Sequence, residues 1–301
     1  MPVPGAPTTR PAKPGPGLIG IGAQKCASSW VHAALGGHPA IGVSSPKEID
    51  FFSYYFDRGR AWYEAHFAQL AGYALRAEVS PSYFHDPRSP SRLADWDPEI
   101  RVVAVLRDPV ERAYSNHLHE VIKGHVRPCT FEDGLANNPA YLEQGRYAEH
   151  LARWYAALPR EQILVLIAED IAAAPDAAAA RLYRFCGVDP ALRPLVLSER
   201  RNESDRARLP ILRSVLRAQG TALRRLGLES TLIRIKRLPG VAGMLRANSI
   251  DLRGEIPPMR AETRARLTEL FAPQMAPLAQ LIGRDALPWA SFRAALAQAA
   301  E

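Results

Sequence analysis

Five short strand candidates constrain this chain more than any other feature: Leu18–Ile21, Ala40–Val43, Arg76–Val79, Arg101–Leu106 and Ile163–Ile167. Stretches with helical spacing separate most of them, at Ser29–Gly36, Ala61–Ala68, Val110–Lys123, Arg146–Ala157 and Ala177–Cys186. Strands alternating with helices predict an α/β fold, a parallel sheet flanked by helices. Ligands of such sheets bind beyond the carboxyl ends of the strands. The turns that leave those ends are therefore the places to look for chemistry.

The chain has 301 residues, 47% of them apolar, enough to bury a substantial core. We read residues 17–301 as one domain and residues 1–16, Pro-rich and without an apolar core, as a disordered start that is no signal peptide. No apolar run approaches the roughly 20 residues of a membrane-spanning helix. Three cysteines without metal-like spacing predict a reducing, cytoplasmic location and no metal site. The net charge of +7 is uneven: Arg200 to Arg246 carries 12 Lys/Arg against 3 Asp/Glu. The basic character thus belongs to one segment, and nucleic acid is not the expected partner. Beyond Arg200 the pattern reads as purely helical. Residues 203–250 read either as a helix packed on the core with a solvated basic face, or as a cap that attracts an acidic substrate or a membrane surface. Pro257 to Trp289 predicts a long helix pair.

Two strand ends carry the chemistry. After the first strand come Gly22-Ala23-Gln24-Lys25-Cys26-Ala27-Ser28-Ser29-Trp30. A small-residue turn opening a helix presents unpaired N–H groups and the positive end of the helix dipole. Lys25 with Ser28 and Ser29 makes an anion cradle there, or else Lys25 is a surface residue on an ordinary turn. The fourth strand delivers Arg107 and then a helix carrying Ser115. Arg107 either binds a second anion or pairs with Asp108 or Glu111. Two such ends suggest a ligand with two separate anionic groups.

The pair resembles the two nucleotide motifs of sulfotransferases that use 3′-phosphoadenosine 5′-phosphosulfate (PAPS). The resemblance covers roughly residues 17–200 and resumes around 250–290, and is nearest to the heparan-sulfate-type and bacterial branch. It implies that Lys25, Cys26, Ala27, Ser28, Ser29 and Trp30 hold the 5′-phosphosulfate. It places Arg107 and Ser115 at the 3′-phosphate, and Tyr147, in Gly145-Arg146-Tyr147-Ala148-Glu149-His150-Leu151, near the nucleotide. Arg253-Gly254 resembles a late basic loop at the 3′-phosphate. Lys47-Glu48-Ile49-Asp50-Phe51-Phe52 resembles the acceptor segment, with Glu48 as general base. The chain departs from relatives at Asp50, where many carry His, and at Val79, where heparan-type members carry Lys.

The implied activity is transfer of a sulfuryl group from PAPS to a hydroxyl, or less readily an amine, of a carbohydrate or small-molecule acceptor, without metal. Lys25 would neutralise the leaving phosphate. Three other readings stay open on residues alone. Glu48 is a surface partner of Lys47. Cys26, a thiol at a helix start beside Lys, is a nucleophile, although no His is placed as its base. The chain is a P-loop kinase or a non-catalytic nucleotide-binding module, although Gly-x4-Gly-Lys-Ser/Thr is absent.

Overall fold

The computed structural model of the chain describes residues 14–127, 129–193, 206–207, 249–250 and 256–292. Its central sheet is made of β1 (Leu18–Gly22), β2 (Ile41–Val43), β3 (Leu75–Val79), β4 (Arg101–Leu106) and β5 (Ile163–Ile167). All neighbours are parallel, in the order β2-β3-β1-β4-β5. Leu18 pairs with Ala77 on one side and Arg101 on the other, and Val102 pairs with Ile163. Every residue of β1 and β5 is buried. Burial on both faces is why these strands read as unbroken apolar runs.

The order fixes where a ligand binds. From β1 the chain moves to β2 and returns through β3. It then crosses β1 to reach β4. The direction of winding therefore reverses at β1, between β3 and β4. That switch point opens a crevice beyond the strand ends. The turns after β1 and β4 flank it, and those turns carry Lys25 and Arg107.

Helices α1 (Ser28–Gly36), α2 (Arg60–Ala65), α3 (Ser89–Trp96) and α4 (Pro109–Lys123) follow in order. Next come α5 (Phe131–Asn137), α6 (Ala140–Glu143), α7 (Tyr147–Ala157), α8 (Ala168–Ala173) and α9 (Pro175–Cys186). The expected C-terminal pair is α10 (Ala261–Phe271) and α11 (Met275–Leu281), joined by a 3-10 turn. The helix expected over 61–68 is shorter, because α2 stops at Ala65 and a 3-10 turn covers Ala68–Leu70. The purely helical reading beyond Arg200 needs one correction. The four described residues of 203–250 form a short antiparallel pair, β6 (Arg206–Ala207) with β7 (Ser249–Ile250). The rest of 203–250 lies outside the described residues.

The described residues fall into two compact units. One holds 14–116, 138–193 and 260–292; the other holds 117–127, 129–137 and the described residues from 206 to 259. The sheet and the described candidate site residues belong to the first. Among the described residues, no helix is long and apolar enough to cross a membrane. The Pro-rich start lies outside the described residues up to residue 13.

Candidate active site

The turn after β1 is tight for a physical reason. Gly22 has φ +125, and a Cβ there would stand 2.6 Å from the Pro81 carbonyl oxygen. Only glycine fits that approach. The chain then passes through two left-handed residues, Lys25 (φ 63) and Ala27 (φ 67). Each conformation costs on the order of 1–2 kcal/mol for a residue with a Cβ. Strain of this kind gathers at ligand clamps. Ala27 is the N-cap of α1 and supplies no side-chain cap, and the first turn of α1 holds no acidic residue. The positive end of α1 is thus left for an external anion.

Cys26 is wholly buried under this turn. Its Sγ lies 3.5 Å from the hydroxyl of Tyr147, the first residue of α7. Burial pushes the Cys26 thiol up to about 11, against a smaller opposing pull from Tyr147 and the guanidiniums of Arg112 and Arg107. A neutral, enclosed thiol is a poor nucleophile. Cys26 is packing beneath the cradle, and it ties Tyr147 to the turn.

At the end of β4 the alternative ion pairs of Arg107 do not form. Asp108 accepts hydrogen bonds from the backbone N–H groups of Val110 at 3.0 Å and Ser291 at 3.2 Å. Glu111 pairs with Arg264 at 2.5 Å. Arg107 itself has no ion-pair partner among the described residues. Ser115 stands on α4, which does begin at Pro109. Proline suits a first helical position, where its missing N–H costs nothing.

Arg112, one turn into α4, escaped the reading of the sequence. It is 0% exposed. Nη1 donates to Gln144 Oε1 at 3.1 Å, Nη2 donates to the Tyr141 carbonyl, and Nε has no partner. Burial lowers its pKa, while nearby Tyr147 and Cys26 raise it and Arg107 lowers it further. A buried guanidinium without a carboxylate partner, close to a second one, is costly unless an anion balances them. The two cations at this strand end therefore fit a phosphate group.

The acceptor segment lies beyond β2. Glu48 (φ 65) and Asp50 (φ 55) are both left-handed. Glu48 N–H donates to the Val79 carbonyl at 3.1 Å, anchoring the segment to the end of β3. The Lys47–Glu48 ion pair is present at 2.9 Å, with Glu48 exposed. It is not confined to the surface, because Lys47 Nζ also donates to Ser29 Oγ at 3.2 Å. Asp50 is held by Ser82, whose hydroxyl donates to Oδ1 at 2.5 Å, and burial raises its carboxyl. Phe51 and Phe52 are 2% and 0% exposed and pack among Tyr63, Tyr83 and Trp96. They belong to the core and do not wall a pocket.

The structure thus brings Cys26 against Tyr147, and links Ser29 through Lys47 to Glu48. Arg253 and Gly254 lie outside the described residues. Among the described residues, no three His, Cys, Asp or Glu side chains gather where a metal ion would sit.

Comparison with known proteins gives the family and the fold. A family model described as the sulfotransferase domain matches residues 17–204. The chain is similar to the human bifunctional heparan sulfate N-deacetylase/N-sulfotransferase 3, 28% identical over 198 residues, 58% of this chain and 22% of the relative. It is similar to the human heparan sulfate glucosamine 3-O-sulfotransferase 3B1, 29% identical over 182 residues, 58% of this chain and 46% of the relative. The chain therefore spans less than half the length of these relatives. A solved sulfotransferase from Alicyclobacillus acidocaldarius shares the fold, with a TM-score of 0.66 at 23% identity, covering 90% of this chain and 96% of its own.

Proposed function

The chain belongs to the sulfotransferase domain family, and from that membership we propose that it transfers the sulfuryl group of PAPS to an acceptor hydroxyl. The observation that carries the reading is the pair of cationic strand ends at the switch point. One is a helix start without a side-chain cap beside Lys25; the other is Arg107 with buried Arg112. Two cation sites on adjacent strands suit a nucleotide with separate 5′ and 3′ anions.

The acceptor oxygen forms a bond to sulfur as its proton passes to a Glu48 carboxylate oxygen. The bond between sulfur and the bridging oxygen breaks, and adenosine 3′,5′-bisphosphate leaves with the electron pair. Lys25 and the N–H groups of Cys26 to Ser29 take up the growing charge on the 5′-phosphate, while the Trp30 N–H donates to the Ala27 carbonyl at 3.0 Å instead. Arg107 and Ser115 hold the 3′-phosphate, and Tyr147 fixes the turn from below. Because the reaction is in-line, placing the two reactants supplies much of the rate.

The kinase alternative needs an acidic residue at the end of β4 to hold a metal. Asp108 instead spends both oxygens on backbone N–H groups. We read residues 17–301 as one sulfotransferase domain, with 203–250 as a basic insert. The test is incubation with PAPS and a panel of hydroxylated sugars and small molecules, followed by mass spectrometry. A sulfate added to an acceptor supports the proposal. ATP with Mg²⁺ yielding a phosphorylated acceptor, with PAPS inert, overturns it.

A further inference from the structure

We propose that Lys47 is a positioning residue that joins the anion cradle to the base, holding Glu48 beside whatever anion occupies the start of α1. This rests on the sulfotransferase reading above and adds a residue to it. Lys47 Nζ stands between Ser29 Oγ at 3.2 Å and Glu48 Oε1 at 2.9 Å. Its side chain is 22% exposed, against 47% for Glu48. Ser29 is the second residue of α1.

An ammonium at that spot is in the wrong place for an isolated helix. Cations are disfavoured near helix N-termini, where the dipole is positive. The first turn of α1 has no acidic residue to offset it. The carboxylate that does so comes from Glu48, held there by a left-handed backbone and by its N–H bond to Val79. An anion in the cradle reverses the balance: the same ammonium then attracts it, while keeping its bond to Glu48. Lys47 would thus place the proton acceptor and the 5′ anionic group at one fixed separation. In-line transfer needs that arrangement, since the acceptor oxygen must face both.

The geometry assigns Lys47 to the 5′ group, on the β1 side, and not to the 3′ group beside Arg107. That distinction makes the proposal testable without a known acceptor. Affinities of adenosine 3′,5′-bisphosphate and adenosine 3′-monophosphate are measured by ligand-observed NMR for the parent, Lys47→Met and Lys47→Arg. Loss of one charge-assisted hydrogen bond should weaken the bisphosphate about tenfold in Lys47→Met. The 3′-monophosphate should be unchanged, and Lys47→Arg should restore most of the bisphosphate affinity. Equal weakening of both nucleotides means a merely structural role and overturns the proposal, as does no weakening of either. If the parent itself prefers neither nucleotide over AMP, the sulfotransferase reading fails first, and Lys47 with it.

Discussion

The Sγ of Cys26 and the hydroxyl of Tyr147 meet at 3.5 Å, across 121 positions of sequence, and both residues are fully buried. This contact decides what the cysteine in the cradle does. A thiol pushed up to about 11 by burial stays protonated at neutral pH. Cys186, also buried, is pushed up to about 12. Cys129 is partly exposed. Under native conditions iodoacetamide should therefore modify Cys129 first, and the other two only after unfolding. Cys26→Ala should keep turnover within a few-fold of the parent, because the position offers backbone and packing. Peptide mapping after brief alkylation checks the first outcome. Rapid native labelling at Cys26 would return it to the list of candidate nucleophiles.

Adenosine 3′,5′-bisphosphate should stabilise the protein without added metal. The motive is the set of cations around the two turns: Lys25 after β1, Lys47 bonded to Ser29 of α1, and Arg107 with the buried Arg112 after β4. At a ligand concentration 100-fold above the dissociation constant, linkage adds about 2.7 kcal/mol. Thermal shift should rank this nucleotide above AMP, and Arg107→Ala should erase the difference. If AMP stabilises the parent equally well, Arg107 and Ser115 do not form a 3′-phosphate site.

How much of this was legible in the sequence depends on how each residue is buried. Strands β1 and β5 were readable because both their faces are covered, so no polar residue interrupts them, whereas β3 carries Arg76 and Glu78 within its pattern. Lys25 and Arg107 were readable because they immediately follow such runs. Arg112 was not, since an arginine in a helix ordinarily marks the solvent face. Only the packing of α4 against Gln144 and Tyr141 puts it inside. Helix α3 was hidden by its own start, Ser89-Pro90-Ser91, which reads as a turn until proline is placed in the first helical turn. The aromatic pair Phe51-Phe52 gave no sign of which side it faced. Tyr63 and Trp96, distant in sequence, decide that it faces the core.

Glu78 was equally opaque, and it gives the fold a pH dependence. It sits in β3, wholly buried, with the hydroxyls of Tyr83 and Tyr63 nearby. Burial pushes its carboxyl from 4.5 up to about 8; the two phenols pull it back only in part, and Asp50 adds to the rise. Between these values the folded chain holds a proton that the unfolded chain has lost. Stability is therefore fully present below about 4.5 and declines as pH rises through about 8. His85 works the other way. Its ring is lowered from 6.5 to about 4, chiefly by burial, so stability is lost as pH falls through that range. The two effects oppose each other below about 6.5, and the decline due to Glu78 is clearest above it. Glu78→Gln should flatten that decline. The melting temperature of the parent should drop by several degrees between about pH 6.5 and 8, on the order of 2 kcal/mol, while that of the variant holds nearly level. Parallel melting curves for the two proteins would mean that Glu78 is already ionised in the fold.

The final prediction separates the base from the cradle. Glu48 lies at the exposed end of the Lys47 bridge, where an acceptor can reach it, and Lys25 lies in the turn after β1. Glu48→Gln keeps the size and polarity of the side chain and can still accept a hydrogen bond from Lys47. It cannot accept a proton. Turnover on a true acceptor should fall on the order of 10²–10⁴-fold, with nucleotide affinity within a few-fold of the parent. Lys25→Ala should instead weaken nucleotide binding and slow turnover together, because one cation serves both the bound nucleotide and the departing phosphate. Steady-state rates and calorimetric nucleotide affinities, measured on both variants, distinguish the two patterns. Near-parent turnover in Glu48→Gln would remove Glu48 from the chemistry. The base would then be sought at Asp50, whose carboxyl is raised by burial and held by Ser82 within the same segment.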